Sequence, residues 1–331
     1  MLIVFPRWFF PNNLGDSIMF TFIPRVLKEL GVAKDVHVIT SGDLINVLKL
    51  DPYTTSVREP QQPELMIPQN YLIAAAMAGN QNSQIKVIYP EWHPKLWSRW
   101  NSSFDFFSNH PTLNLISVNY LMQLGVLEEA IKTNLDFRPT IPIFAPKPSV
   151  KNGLVFGIIP DTKTANRGVP HPGCDGIGYR FNGPKGLHSW GVVVSELRKL
   201  YPTSKIIEYS RQFLGLGDTH VSEIPFLKLA ESVNSLHLGI LSDGGLHHVF
   251  AATRTPTILL GAQRVNKPEF FKIETDYYDP KHYQKCHSHC DIKNLSGWPS
   301  LTKNCNLDCE TIDPMSIVVD VQKVIAAQYS L

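Results

Sequence analysis

The chain has no stretch approaching the roughly 20 consecutive apolar residues that a membrane-spanning helix needs, which excludes a helical membrane protein on the sequence read here. Its opening, MLIVFPRWFF, has neither a basic leading region nor a small-residue cleavage site, so it reads as a first strand and not as a secretion signal. Neither charge sign is in excess. With 31 Lys+Arg against 29 Asp+Glu the net charge is +2, which argues against a general nucleic-acid binder while permitting peripheral attraction to an anionic membrane surface. There is no short repeat and no low-complexity tract, which excludes solenoids and tails. Cysteine is scarce: Cys174 stands alone and the other four cluster between Cys286 and Cys309.

What is present suits a globular protein of the cytoplasm, including the inner face of its membrane. Hydrophobic residues make up 43% and charged residues 18% of 331 residues, enough for two domains of ordinary size. LIVF precedes a helical stretch from about Ser17 to Leu30, with Pro24 expected to kink it. DVHVIT, a helical GDLINVLKL and NYLIAAAMAG, then IKVIY, continue a β-α-β rhythm. Residues 137–152 hold four prolines and read as a linker. The rhythm restarts with GLVFGII, a helix over WGVVVSELRKLY, SKIIEY, a helix over IPFLKLAESV, LHLGIL, a helix over GLHHVFAATR, and PTILLG. Asp313-Pro314 is a helix-start signal, with Asp as N-cap and Pro at the first helical position. Two α/β halves joined by a linker predict two doubly wound domains, with ligands at the carboxyl ends of their strands.

Two junctions could carry chemistry. In LSDGGLHHVFAATRTPTILLG, a strand ends, Ser242-Asp243-Gly244-Gly245 turns, and a helix opens. Unpaired N–H groups and the positive dipole end at such a helix start suit a diphosphate, and Asp243 could accept from sugar hydroxyls. The plainer reading is a strand–turn–helix with Asp243 as a cap. In PNNLGDSIMFTF, Asp16 sits where the first strand hands over to the first helix, either as an N-cap or as a chemical group.

The first of these blocks resembles the signature of the bacterial heptosyltransferase-like glycosyltransferases, glycosyltransferase family nine. Asp243, Gly245, His248, Ala251, Ala252 and Pro256 match its pattern; Gly244 replaces the usual Ser or Thr and loses a hydroxyl. Leu14-Gly15-Asp16 and Pro24 match the family's opening, and NLISVNYLMQLGV resembles the helix closing its N-terminal domain. The resemblance implies the GT-B fold: two Rossmann-like domains facing across a cleft, with a C-terminal helix returning to the N-terminal domain. The implied layout is 1–145 on the acceptor side, 146–312 for the nucleotide sugar, and 313–331 as that helix. The implied reaction is inverting and metal-independent transfer of a sugar, such as a heptose, from a nucleotide diphosphate sugar to a glycan, lipid-linked glycan or protein hydroxyl. No Asp-x-Asp pair is present, in keeping with that. Asp16 is the implied base. Asp243, Gly244, Gly245 and His248 are implied donor contacts. A rival enzyme of the same architecture, a nucleotide-sugar epimerase, and a non-catalytic binding or assembly protein stay open.

The glycine-rich stretch 160–190 is too long for an ordinary connection. By the resemblance Lys185, lying shortly before a helix with Trp190, meets the donor phosphates; Arg167 or Arg180 could serve instead, and a solvated loop is the plainer reading. Residues 91–110 hold three tryptophans and three phenylalanines. A packed helix accounts for most of these rings, leaving His93, Lys95 and Arg99 as candidates for an acidic acceptor. Cys286, Cys290, Cys305 and Cys309 form two Cys-x3-Cys pairs separated by 14 residues, a soft donor set for one structural Zn or Fe, with free thiols or disulfides as the alternative. His247 and His248 start about 100° apart on their helix, so only His248 is expected to face a ligand.

Overall fold

The computed structural model describes residues 1–9, 14–78, 84–89, 110, 112–113, 115–142, 149–160, 184–210, 213–242, 245–264, 282–286 and 313–329. By its internal contacts the chain divides into two units: Met1–Phe144 with Pro225–Ala230 and Ala251–Thr253, and the rest.

The first unit is built on a parallel sheet of four strands, β1 (Leu2–Val4), β2 (His37–Ile39), β3 (Ser56–Arg58) and β4 (Ile85–Val87), in the order β3-β2-β1-β4. Its helices are α1 (Leu14–Phe20), α2 (Ile23–Glu29), α3 (Leu44–Leu50), α4 (Gln62–Leu65), α5 (Gln69–Met77), α6 (Leu115–Leu124) and α7 (Leu127–Ala130). The expected single helix from Ser17 is two helices. Pro24 has no N–H to donate back to Phe20, and its ring would strike that carbonyl, so the helix ends before Thr21 and Pro24 falls in the first turn of α2. Ile3, Phe5, Ile18, Phe20, Phe22 and Leu27 are fully or almost fully buried.

The second unit holds a parallel sheet of six strands: β5 (Val155–Ile159), β6 (Lys205–Tyr209), β7 (Thr219–Val221), β8 (Leu238–Ser242), β9 (Thr257–Arg264) and β10 (His282–Cys286). Their order, β10-β9-β8-β5-β6-β7, is the doubly wound order in which the chain steps outward from β5 and then returns to its other side at β8. The helices are α8 (Pro184–Leu200), α9 (Phe226–Asn234), α10 (Gly245–Thr253) and α11 (Pro314–Tyr329); Phe226–Ala230 of α9 and Ala251–Thr253 of α10 count with the first unit. Strand residues alternate between two layers. Phe156, Ile158, Leu238 and Ile240 join Trp190, Val193 and Leu197 of α8 and Ile317, Val321 and Ile325 of α11 in one core. On the other side Gly239 leaves the space taken by the Phe250 ring of α10, which a Cβ there would strike. Tyr209 meets Phe250 edge-on and its hydroxyl bonds Ser232 Oγ of α9 at 2.7 Å.

Helix α11 starts as the sequence signals: Asp313 accepts from the backbone N–H groups of Met315 and Ser316, both at 3.1 Å. Its buried stripe closes the core of the second unit, because Ile317, Val318, Val321 and Ile325 fall at helical spacing beside α8. At the amino ends of the strands, fully buried His237 accepts from the Val155 N–H at Nδ1 (2.9 Å), and its carbonyl accepts from the Tyr329 hydroxyl (2.9 Å). Burial pushes the pKa of this imidazole down.

Strands β3, β7 and β10 carry no sequence signal of their own. Among the described residues they are polar sheet edges, paired on one side, and need no apolar run.

Candidate functional site

In an open parallel sheet, ligands bind beyond the carboxyl ends of the strands where the winding reverses. In the second unit that point lies between β5 and β8, whose ends are level, with Ile159 opposite Leu241. Beyond β5 the description stops at Pro160; beyond β8 it stops at Ser242 and resumes at Gly245, the exposed first residue of α10. Asp243 and Gly244 lie outside the described residues, between these two ends. The opening N–H groups of α10 therefore start at the carboxyl edge of the central strands, where the helix dipole favours an anion.

His248 is buried at 4% exposure, one turn into α10, and His247 is buried beside it. Their rings are 3.9 Å apart between centroids. Burial, reinforced by the neighbouring His247, holds the His248 pKa well below the usual imidazole range, so at neutral pH the ring is uncharged.

Lys185 is the second residue of α8, which begins six positions ahead of Trp190. It was expected before the helix and lies inside its first turn, because Pro184 is suited to the first helical position. The Lys185 side chain is outside the described part, as are Arg167 and Arg180. Trp190 itself is fully buried in the core.

In the first unit the winding reverses between β1 and β4. Beyond β1 the chain makes a 3-10 turn, Arg7–Phe9, and α1 begins at Leu14. Asp16 is thus the third residue of α1 and not its N-cap; its side chain lies outside the described part. Ser17, next to it, is buried and accepts from Nε of Arg7. Beyond β4, buried Tyr89 is gripped on both backbone polar groups by Gln123 of α6: its N–H donates to Oε1 (2.7 Å) and its carbonyl accepts from Nε2 (2.8 Å). The chain then enters the stretch with His93, Lys95 and Arg99, all three outside the described residues. Cys286 ends β10, with its backbone opposite Arg264. Its thiol, and Cys290, Cys305 and Cys309, lie outside the described part.

Sequence reasoning passed over Arg7, Gln123, His237 and Glu208. Glu208 had a signal, a carboxylate inside the apolar run SKIIEY. It is fully buried and accepts from Ser210 Oγ (2.6 Å) and from the backbone N–H groups of Leu214 (2.7 Å), Leu216 (3.0 Å) and Gly217 (3.2 Å). Parallel neighbours normally need a dozen or more residues and a helix to connect them. Here residues 210–218 suffice, because the carboxylate takes the N–H groups that a helix would have paired internally.

No known family model matches the chain, and no curated protein matches it. Solved structures do. A glycosyltransferase family 9 structure from Veillonella parvula DSM 2008 is 12% identical, with 99% of this chain and 97% of that chain covered and a TM-score of 0.56. The dodecameric iron-containing heptosyltransferase TibC, of enterotoxigenic E. coli H10407, in complex with ADP-D-beta-D-heptose, is 14% identical over 98% of this chain and 76% of that one, with a TM-score of 0.56. The E. coli ADP-heptose lipopolysaccharide heptosyltransferase II is 10% identical over 99% of both chains, with a TM-score of 0.52. The chain shares their fold.

Proposed function

We propose that a protein with this fold is a glycosyltransferase that moves a sugar from a nucleotide diphosphate sugar to an acceptor hydroxyl. The observation that carries the reading is the Ser-Asp-Gly-Gly junction between β8 and α10, at the winding reversal of the second sheet. The donor diphosphate sits against the start of α10, with Gly244 and Gly245 allowing close approach, Asp243 on sugar hydroxyls, neutral His248 beneath, and Lys185, Arg167 or Arg180 supplying positive charge. Asp16 takes the proton of the acceptor hydroxyl as its oxygen attacks the anomeric carbon. The bond to the diphosphate breaks, the nucleoside diphosphate leaves with the electron pair, and the anomeric configuration inverts. His93, Lys95 and Arg99 serve the acceptor, which is a glycan, a lipid-linked glycan or a protein.

ADP-heptose is the first donor to test, since two of the fold neighbours are heptosyltransferases, one of them solved in complex with that donor. The four cysteines suit a structural Zn or Fe, four thiolates being a soft and closed donor set with no open position for substrate. Such an ion would hold the segment following β10 and takes no step in the reaction.

A thermal-shift screen over ADP, GDP, UDP and their sugars tests the reading. A donor at 100 times its Kd stabilises the fold by about 2.7 kcal/mol. Asp16→Asn is expected to keep that shift and to lose sugar transfer. Wild-type transfer by this variant refutes the assignment of the base, and the absence of any nucleotide shift refutes the donor site. Metal analysis of the purified chain decides the cysteine site.

A further inference from the structure

The connection from β1 to α1 is fixed at two places by two kinds of contact. Phe5, just beyond β1, stacks on Phe20 at the far end of α1, with ring centroids 4.6 Å apart and planes 18° from parallel. The first turn of α1 is held by Arg7, whose own N–H closes on the Phe5 carbonyl at 2.6 Å and whose Nε donates to Ser17 Oγ. Ser17 directly follows Asp16. One side chain therefore reaches from the carboxyl end of β1 to the residue beside the proposed base.

A guanidinium is a demanding way to fasten a helix. It stays charged, and its donors have one fixed fork geometry. The Phe5–Phe20 stack already joins strand to helix through apolar contact alone. What Arg7 adds is direction and positive charge at the one turn that carries a carboxylate, on the edge of the sheet where ligands bind. We propose that Arg7 is a positioning residue for Asp16, acting through Ser17 to set the first turn of α1 against the carboxyl end of β1. The inference rests on the reading of Asp16 as base.

The test uses the full chain and four variants besides Asp16→Asn: Arg7→Gln, Arg7→Lys, Ser17→Ala and, as a comparator, Arg25→Gln. Arg25 ties α2 to the carbonyls of Asp136 and Arg138 in the same unit and has no contact with the β1–α1 connection among its described bonds. Each is melted and then assayed with the donor that the screen identifies. Arg7→Gln is expected to lower kcat about 100-fold, the size of effect that misplacing a reacting group by an ångström produces, with donor KM changed less than about twofold. Arg7→Lys should stay within a few-fold of Arg7→Gln, since an ammonium lacks the Nε–H geometry. Ser17→Ala should fall about tenfold in kcat, and Arg25→Gln should melt lower with kcat intact.

Equal loss of kcat in Arg7→Gln and Arg25→Gln at equal loss of melting temperature overturns the proposal, as does wild-type kcat in Arg7→Gln or Ser17→Ala. Full recovery by Arg7→Lys overturns it too, because charge alone would then be enough. An inactive Asp16→Asn beside an active Arg7→Gln refutes this inference and leaves the proposed reaction standing. An active Asp16→Asn refutes the assigned base and the inference together.

Discussion

The two sheets share one winding pattern and are held in different ways. The first is made of strands of three residues each, and side-chain ties grip its chain: Arg7 to Ser17 and Gln123 to Tyr89 just beyond strand ends, and Arg25 of α2 to the carbonyls of residues 136 and 138. The second is built on five- and eight-residue strands, the three-residue edge β7 apart, whose ladders and apolar layers do most of this work, with Glu208 and His237 as polar exceptions. The difference implies a division of roles. In the first unit single polar residues fix where the chain leaves the sheet, next to the proposed base. In the second, burial fixes most of the frame, and the proposed donor junction hangs from it.

The comparison can be broken in order of effect. Trp190→Ala empties the largest buried side chain of the second core and should cost about 4 kcal/mol. A denaturant midpoint reads the loss, with amide exchange rising first at β5 and β8. A loss under 1 kcal/mol would mean the frame is not set by that core. Glu208→Ala should cost about 3 kcal/mol by stranding the loop N–H groups, whereas Glu208→Gln keeps one acceptor and costs less. Gln123→Ala should cost about 2 kcal/mol in the first unit. Gln123→Leu keeps the volume and should not rescue it; if it does, packing and not the amide grip holds β4, and the contrast between the units fails. The smallest effect is on pH. The folded-state pKa values of His237 and His248 both lie below the unfolded value of about 6.5. Their contribution to stability is therefore full above that pH and is lost as pH falls toward the folded values. Thermal melts between pH 7.5 and 5 should show this, with a shallower slope in His237→Gln.

The strands legible in the sequence were those with an apolar run. LIVF, DVHVIT and IKVIY in the first unit, and GLVFGII, SKIIEY, LHLGIL and PTILLG in the second, read as strands because each carries apolar residues to a core. Pro24 was legible as a disruption but not as a full break, since Thr21 and Phe22 carry no stop signal of their own. Both helix starts were read too late, by three residues at Asp16 and by six at Lys185, because capping and the first turn, and not apolar periodicity, set those boundaries. Arg7, Gln123 and His237 could not be found, because each bonds a partner 10, 34 or 82 positions away and leaves no local pattern. The handover from β8 to α10 at Ser242 and Gly245 was legible because a strand end, a glycine pair and a helix start are local signals.

Helix α11 has a consequence for biosynthesis. A ribosome delivers β5 long before Ile317, Val321 and Ile325, yet these residues fill the same core layer as Phe156 and Ile158. Until they emerge, the face of the nascent sheet that α8 shares with α11 is left half covered, exposed to chaperones and to other chains. The second unit therefore completes its folding only after α11 has been synthesised, and translation pauses upstream of residue 314 would hold it in its most aggregation-prone form.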